Sequence, residues 1–276
     1  MDLYRDTSYR VAKLITQQYS TSFSGSIKLF SRDIQPHIYA IYGLTRIADE
    51  IVDTYRGNDA RQMLEELERE VYQSIERGYS SNPVVAAFAV TAKEFKIDHR
   101  LIEPFFFSMA MDIEPAKYTD ELYEKYIYGS AEVVGLMCLR VFVGGDDGKY
   151  EELRDYAGAL GSAYQKINFL RDLAADYKEL GRIYFPGISF ESFDDAVKDG
   201  IVLDIEKDLE RADKGLNSLP DSSRRAVRLS IVYYGQLLNK LKMTSAQDIK
   251  SRRIRLSALA KLALLISTKI GRQKNA

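Results

Sequence analysis

The stretch Gln165-Lys166-Ile167-Asn168-Phe169-Leu170-Arg171-Asp172-Leu173-Ala174-Ala175-Asp176 carries two patterns at once. Asn168, Asp172 and Asp176 stand at successive steps of four, which on a helix lines up three oxygen-bearing side chains in one stripe. The residues between them, Ile167, Phe169, Leu170, Leu173, Ala174 and Ala175, are apolar and partly small, as in a helix packed among other helices. A buried carboxylate without a partner is costly, so such a stripe inside a bundle calls for cations. Upstream, Arg46-Ile47-Ala48-Asp49-Glu50-Ile51-Val52-Asp53 repeats the step of four between Asp49 and Asp53. Like charges at that spacing cost a helix about 0.2–0.5 kcal/mol. Alone, this pair reads as a solvated acidic face. Two such helices in one chain read instead as opposed walls of a cavity holding Mg²⁺ over a diphosphate, because Mg²⁺ takes one or two carboxylates and completes its shell with water and phosphate oxygens.

Working outward, the apolar spacing stays helical. Ile34, His37, Ile38, Ile41, Tyr42 and Leu44 recur at steps of three and four, and strand alternation is scarce. The pattern predicts helices over 6–19, 32–53, 60–77, 82–95, 100–113, 119–142, 149–178, 191–200, 201–218, 224–241 and 251–270. Gly57-Asn58-Asp59, Ser80-Ser81-Asn82-Pro83, Gly144-Gly145-Asp146-Asp147-Gly148, Pro186-Gly187 and Pro220-Asp221 supply turn and cap chemistry between them. The 276 residues would allow two domains at about 150 each. No low-complexity linker or shift in composition divides them, so one all-α domain over 1–276, a helical bundle around a central cavity, is expected.

Lys+Arg 39 against Asp+Glu 40 gives a net charge of -1, without the basic excess of a nucleic-acid binder. One cysteine, Cys138, excludes an internal disulfide and any multi-cysteine metal site, and two histidines leave little for a Ser-His-Asp arrangement. The start, MDLYRDTSYR, is charged throughout and does not read as a secretory signal, and no run of about 18 apolar residues occurs. A cytoplasmic location is expected.

The two acidic motifs and their flanks resemble the phytoene and squalene synthase family, the head-to-head prenyl diphosphate synthases. The resemblance rests on Tyr42 and Arg46 before Asp49 to Asp53, and on Asn168-Phe169-Leu170-Arg171-Asp172 to Asp176. It extends to Gly181-Arg182-Ile183-Tyr184-Phe185-Pro186, Ser20-Thr21-Ser22-Phe23, Tyr126-Ile127-Tyr128-Gly129 and Arg252-Arg253-Ile254-Arg255. It implies an isoprenoid synthase-type bundle and a prenyltransferase that joins two prenyl diphosphates through a cyclopropylcarbinyl diphosphate.

By the same resemblance, Asp49, Asp53, Asn168, Asp172 and Asp176 are the expected Mg²⁺ ligands, stabilising the departing diphosphate through several ions. Asp49, Asp53, Asp172, Asp176, Tyr42 and Tyr126 form the expected catalytic set. Ser20, Phe23, Arg46, Gln165, Asn168, Arg171, Tyr234 and Arg253 form the expected substrate-binding set. Guanidinium geometry suits phosphate oxygens, and aromatic faces can stabilise carbocations. Core packing competes as an account of each aromatic, and an ion pair on the outer face competes for Arg171 and Lys166. Glu132 stands where the family commonly has a small residue and is expected to point outward.

The expected substrate is geranylgeranyl diphosphate and the product phytoene. Farnesyl diphosphate to dehydrosqualene or squalene is the alternative, NADPH being needed only for squalene. A non-catalytic assembly protein of the same fold is disfavoured by the intact acidic motifs. From Ser251 to Ala276 the basic residues Arg252, Arg253, Arg255, Lys261, Lys269, Arg272 and Lys274 accompany apolar residues at helical spacing, without Asp or Glu. This predicts at most a peripheral contact at the inner face of the membrane, where a downstream desaturase could receive the product.

Overall fold

The computed structural model describes residues 3–19, 26–55, 57–113 and 118–257. Eleven α-helices follow one another among the described residues, and no strand occurs. They are α1 (Leu3–Tyr19), α2 (Gln35–Asp49), α3 (Ala60–Arg77), α4 (Pro83–Phe95), α5 (His99–Met111), α6 (Asp120–Ile127), α7 (Val133–Phe142), α8 (Asp147–Leu180), α9 (Asp195–Gly215), α10 (Asp221–Lys242) and α11 (Ala246–Ser251). A π-helical turn, Glu50–Thr54, extends α2, and a second, Tyr128–Glu132, joins α6 to α7.

Cap chemistry sets many of the boundaries. Asn82, Asp98, Thr119, Asp146 and Asp194 each accept a hydrogen bond from a backbone N–H of the helix that follows. Gly78 and Gly181 close α3 and α8 in the left-handed conformation, at φ 74° and 66°.

Helix α8, with 34 residues, is the spine. It packs on α7 and the second π-turn on one side and on α9, α10 and α11 on the other, while α1, α2 and α4 form a separate layer. Buried side chains fall into two large clusters. One, around Ile38, Phe88, Phe105 and Met137, joins α2 to α5 and α7. The other, around Ile167, Leu170, Ile205 and Leu241, joins the C-terminal half of α8 to α9 and α10. The second π-turn is gripped from two sides. A Cβ on Gly129 would lie 2.0 Å from the Pro104 carbonyl oxygen, and one on Gly161 of α8 would lie 2.7 Å from that of Ala131.

The expected all-α architecture is observed, with three differences in detail. The break expected at Gly200-Ile201 does not exist: α9 runs through both, because Ile201, Val202 and Ile205 continue a buried stripe that outweighs one glycine. The residues from 191 to 194 form a turn instead, ended by the Asp194 cap. Ser251 ends α11 rather than starting a helix, and 252–257 are non-helical; the rest of the expected terminal helix lies outside the described residues.

Candidate active site

A cavity of about 540 Å³ runs along α8. Helical repeats build its walls. From α2 come Tyr42, Thr45, Arg46 and Asp49, followed by Asp53 from the first π-turn; from α5 come Phe105, Met109 and Asp112. Asn168, Asp172 and Asp176 of α8 line it, as do Tyr126, Gln165, Arg171, Tyr234 and Arg253. Every expected site residue within the described residues is therefore a cavity residue; Ser20 and Phe23 lie outside the described residues.

The two acidic groups meet across this space. Asp176 is pushed up to about 7, first by burial and then by the charges of Asp172 and Asp53, the latter from the opposite wall. Burial likewise pushes Asp49 up to about 6, opposed by Arg46 and aided by Asp53. Asp49 keeps 29% of its side-chain surface open on the cavity side. Asp53 belongs to a π-turn, so the step of four that a regular α-helix would keep in line is bridged here by a wider turn.

Guanidinium groups partner the carboxylates. Arg46 Nη1 donates to Asp49 Oδ2 at 2.7 Å. Asp172 is clasped twice, by Arg171 through Nη2 at 2.5 Å and by Arg253 through Nε at 2.6 Å. The non-helical segment carrying Arg253 is tied to the spine where Ile254 N–H donates to the Arg171 carbonyl at 3.4 Å. Lys166 turns away and pairs with Asp204 and Asp208 of α9 at 2.5 and 2.8 Å, the structural ion pair weighed against a substrate role.

The donor chemistry of these residues suits Mg²⁺. The donors are all oxygens, four carboxylates and one amide, as a hard divalent cation requires. Asn168 Oδ1 is buried and has no hydrogen-bond partner. Among the described residues no three His, Cys, Asp or Glu side chains are gathered closely enough to hold an ion.

Aromatic rings cover much of the remaining wall. Phe169 and Tyr184 stack at 4.0 Å with 8° between planes, and Tyr126 lies 5.3 Å from Tyr184. Tyr234 stacks on Tyr164 at 3.8 Å. Sequence reasoning missed Asp112 and gave Arg182, quoted within its motif, no role. Asp112 accepts from the Tyr126 phenol at 2.7 Å and from Arg182 Nη1 at 3.2 Å; Arg182 Nη2 also donates to the Asp112 carbonyl. The available signal was a lone acid closing the apolar run Phe105-Phe106-Phe107-Ser108-Met109-Ala110-Met111.

Glu132 corrects its expectation. It is neither a cavity residue nor an outward one: its Oε2 lies 3.3 Å from where a Gly158 Cβ would stand, within α8. Burial and Asp208 push it up to about 7, against Lys166 and Arg211. Among the described residues no helix is long and apolar enough to cross a membrane.

Known proteins resemble this chain in sequence and in fold. Residues 16–260 match the model of the squalene/phytoene synthase family. Phytoene synthase 2 of Solanum lycopersicum is 29% identical over 258 residues, 86% of this chain and 82% of that one. The 4,4'-diapophytoene synthase of Staphylococcus haemolyticus is 27% identical over 204 residues, 72% and 69% of the two chains. In fold, the chain is similar to a dehydrosqualene synthase crystal structure, with TM-score 0.82, 22% identity and 98% of both chains covered. A squalene synthase from Alicyclobacillus acidocaldarius gives TM-score 0.77 at 20% identity, covering 88% of this chain and 96% of that one. The chain belongs to the squalene/phytoene synthase family and is a prenyltransferase of the kind that joins two prenyl diphosphates head to head.

Proposed function

We propose that this chain, acting as one catalytic unit over 1–276, condenses two molecules of geranylgeranyl diphosphate into phytoene. The path runs through a cyclopropylcarbinyl diphosphate, which ionises, rearranges and loses a proton. The observation that carries this reading is the meeting of Asp49 and Asp53 with Asn168, Asp172 and Asp176 on one cavity whose other walls are aromatic and aliphatic. Those five residues would hold Mg²⁺, which when bound supplies Lewis-acid stabilisation to the departing diphosphate.

The chain's own groups carry the remaining work. Arg46, Arg171 and Arg253 bind phosphate oxygens, exchanging carboxylate partners for substrate. Gln165, Asn168 and Tyr234 orient the diphosphate by hydrogen bonds, and Ser20 and Phe23 keep the substrate contacts that the family pattern implies. Tyr42 and Tyr126 turn π-electron density toward the carbocations. The apolar wall excludes water that would quench them to alcohols.

Geranylgeranyl diphosphate is favoured by the likeness to plant phytoene synthases over most of the chain. Farnesyl diphosphate is the competing substrate, supported by the match to a 4,4'-diapophytoene synthase. We further propose a cytoplasmic enzyme whose basic segment from Arg252 touches the membrane and hands a water-insoluble hydrocarbon to a desaturase.

Incubation of the purified protein with Mg²⁺ and each diphosphate, with and without NADPH, followed by identification of the hydrocarbon, tests the reading. Phytoene from geranylgeranyl diphosphate is expected without NADPH. A hydrocarbon formed only from farnesyl diphosphate would replace the substrate, and no coupled product from either would overturn the proposal.

A further inference from the structure

The cavity follows α8 past its acidic end to Leu153, Tyr156, Ala157 and Leu160, one apolar stripe at steps of three and four. A rise of about 1.5 Å per residue puts Tyr156 roughly 24 Å from Asp172 along the helix. That span is comparable to an extended geranylgeranyl chain with its diphosphate at the carboxylates. A farnesyl chain, one isoprene unit shorter, ends before it.

Tyr156 has a second face. It also lines a surface cleft of about 540 Å³ between α8 and α9, where its neighbours are charged, among them Glu152, Asp155, Lys207 and Arg211. Arg211 and Asp155 pair there at 3.1 Å. One phenol ring thus stands between an apolar interior and a charged, outward-facing cleft. Gly215 of α9 makes room for it: a Cβ at Gly215 would lie 2.6 Å from Cβ, Cγ and Cδ2 of Tyr156. Contact that close holds the root of the ring against α9 and fixes where the wall stands.

We infer that Tyr156 walls the channel at the depth reached by the end of a geranylgeranyl tail and so decides the longest chain the enzyme accepts. This rests on the cavity being the prenyl diphosphate site. The volume of the ring, rather than its hydroxyl, sets the limit.

The test is competition between equimolar geranylgeranyl and farnesyl diphosphate with Mg²⁺, reading the ratio of products. Tyr156→Leu, which shortens the wall, is expected to raise the ratio of geranylgeranyl-derived to farnesyl-derived product several-fold. Tyr156→Trp, which thickens it, is expected to lower that ratio several-fold, and Tyr156→Phe to leave it unchanged. Far-UV circular dichroism selects the variants that fold. The inference is overturned if folded Leu or Trp variants keep the wild-type ratio within twofold, or if Phe shifts it as far as Leu does. An unaltered protein that turns over neither substrate overturns the parent reading as well; one that is active with an unmoved ratio overturns the wall alone.

Discussion

The Tyr126 phenol donates to Asp112 Oδ2 over 2.7 Å, joining α6 to the residue that follows α5, while Arg182 holds the other carboxylate oxygen. Both partners of that ion pair are nearly sealed, at 6% and 11% side-chain exposure. Asp112→Ala leaves the Arg182 charge buried without its partner, a loss of about 3–5 kcal/mol in chemical denaturation. Asp112→Asn and Tyr126→Phe are each expected to lower kcat at least tenfold with little change in KM. Because they break one hydrogen bond, the double variant should be no worse than the more severe single one; additive losses would separate the two residues.

On the proposed reading, Mg²⁺ would have to displace Arg253, which pairs with Asp172 at 2.6 Å. Arg253→Gln should therefore tighten Mg²⁺ binding to the free protein in calorimetry, yet raise KM for the diphosphate about tenfold through the lost phosphate contact. Unchanged KM would remove Arg253 from the substrate site. Asp49→Ala and Asp172→Ala should each abolish turnover at near-normal helical content.

Burial pushes Asp49 up to about 6 and Asp176 up to about 7, from an ordinary 3.8. A carboxyl raised in the folded state favours folding when protonated, so its contribution is present at low pH and lost as pH climbs through about 4 to 7. Mg²⁺ needs the deprotonated groups. The rise in Tm on adding Mg²⁺ should thus be slight at pH 5 and several degrees at pH 8; an equal rise at both would detach these carboxylates from the metal.

Glu132 follows the same sign, raised to about 7 from 4.5 chiefly by burial. Glu132→Gln should match the wild type in Tm near pH 5 and exceed it by a few degrees near pH 8, with turnover retained because the side chain does not reach the cavity. A variant less stable at pH 8 would mean that Lys166 and Arg211 outweigh burial.

At Gly129 an added Cβ would meet the Pro104 carbonyl oxygen at 2.0 Å and Ser108 Oγ at 2.1 Å. The Pro104 contact is with backbone, which yields little, so Gly129→Ala should cost about 1–3 kcal/mol of stability in denaturant titration.

The acidic stripe on α8 was legible because its chemistry and its helical period coincide: Asn168, Asp172 and Asp176 are spaced as a helix spaces a face. The cavity positions of Tyr42, Arg46 and Gln165 came with the family pattern, since nothing in their own spacing separates them from core or surface. Asp112 stayed hidden, and Arg182 stayed without a role inside its quoted segment, because they are 70 residues apart and find each other only where the residues that follow α5 and α8 come together in the fold. The run through Gly200 was misread for a related reason: the helix is held by partners elsewhere in the chain, and local propensity says little about them. Glu132 shows the limit on orientation, because an α-helical wheel gives the wrong heading inside a π-turn.

That turn also bears on how the molecule tolerates change in length. Relative to a regular helix, Tyr128–Glu132 carries one residue of slack. Removing one residue there would let α6 and α7 fuse into an uninterrupted α-helix, at no local loss of hydrogen bonding. Because the wider turn absorbs the extra residue, the helix downstream would keep its heading; a second deletion, taken from the regular helix that remains, would turn it by about 100°, the rotation each α-helical residue contributes. That second deletion would swing Val134 and Cys138 off the cavity wall while Tyr126 stayed on it. The turn is therefore a buffer of one residue: a single one-codon deletion there preserves the chamber and the next one dismantles it, with the helix content almost untouched.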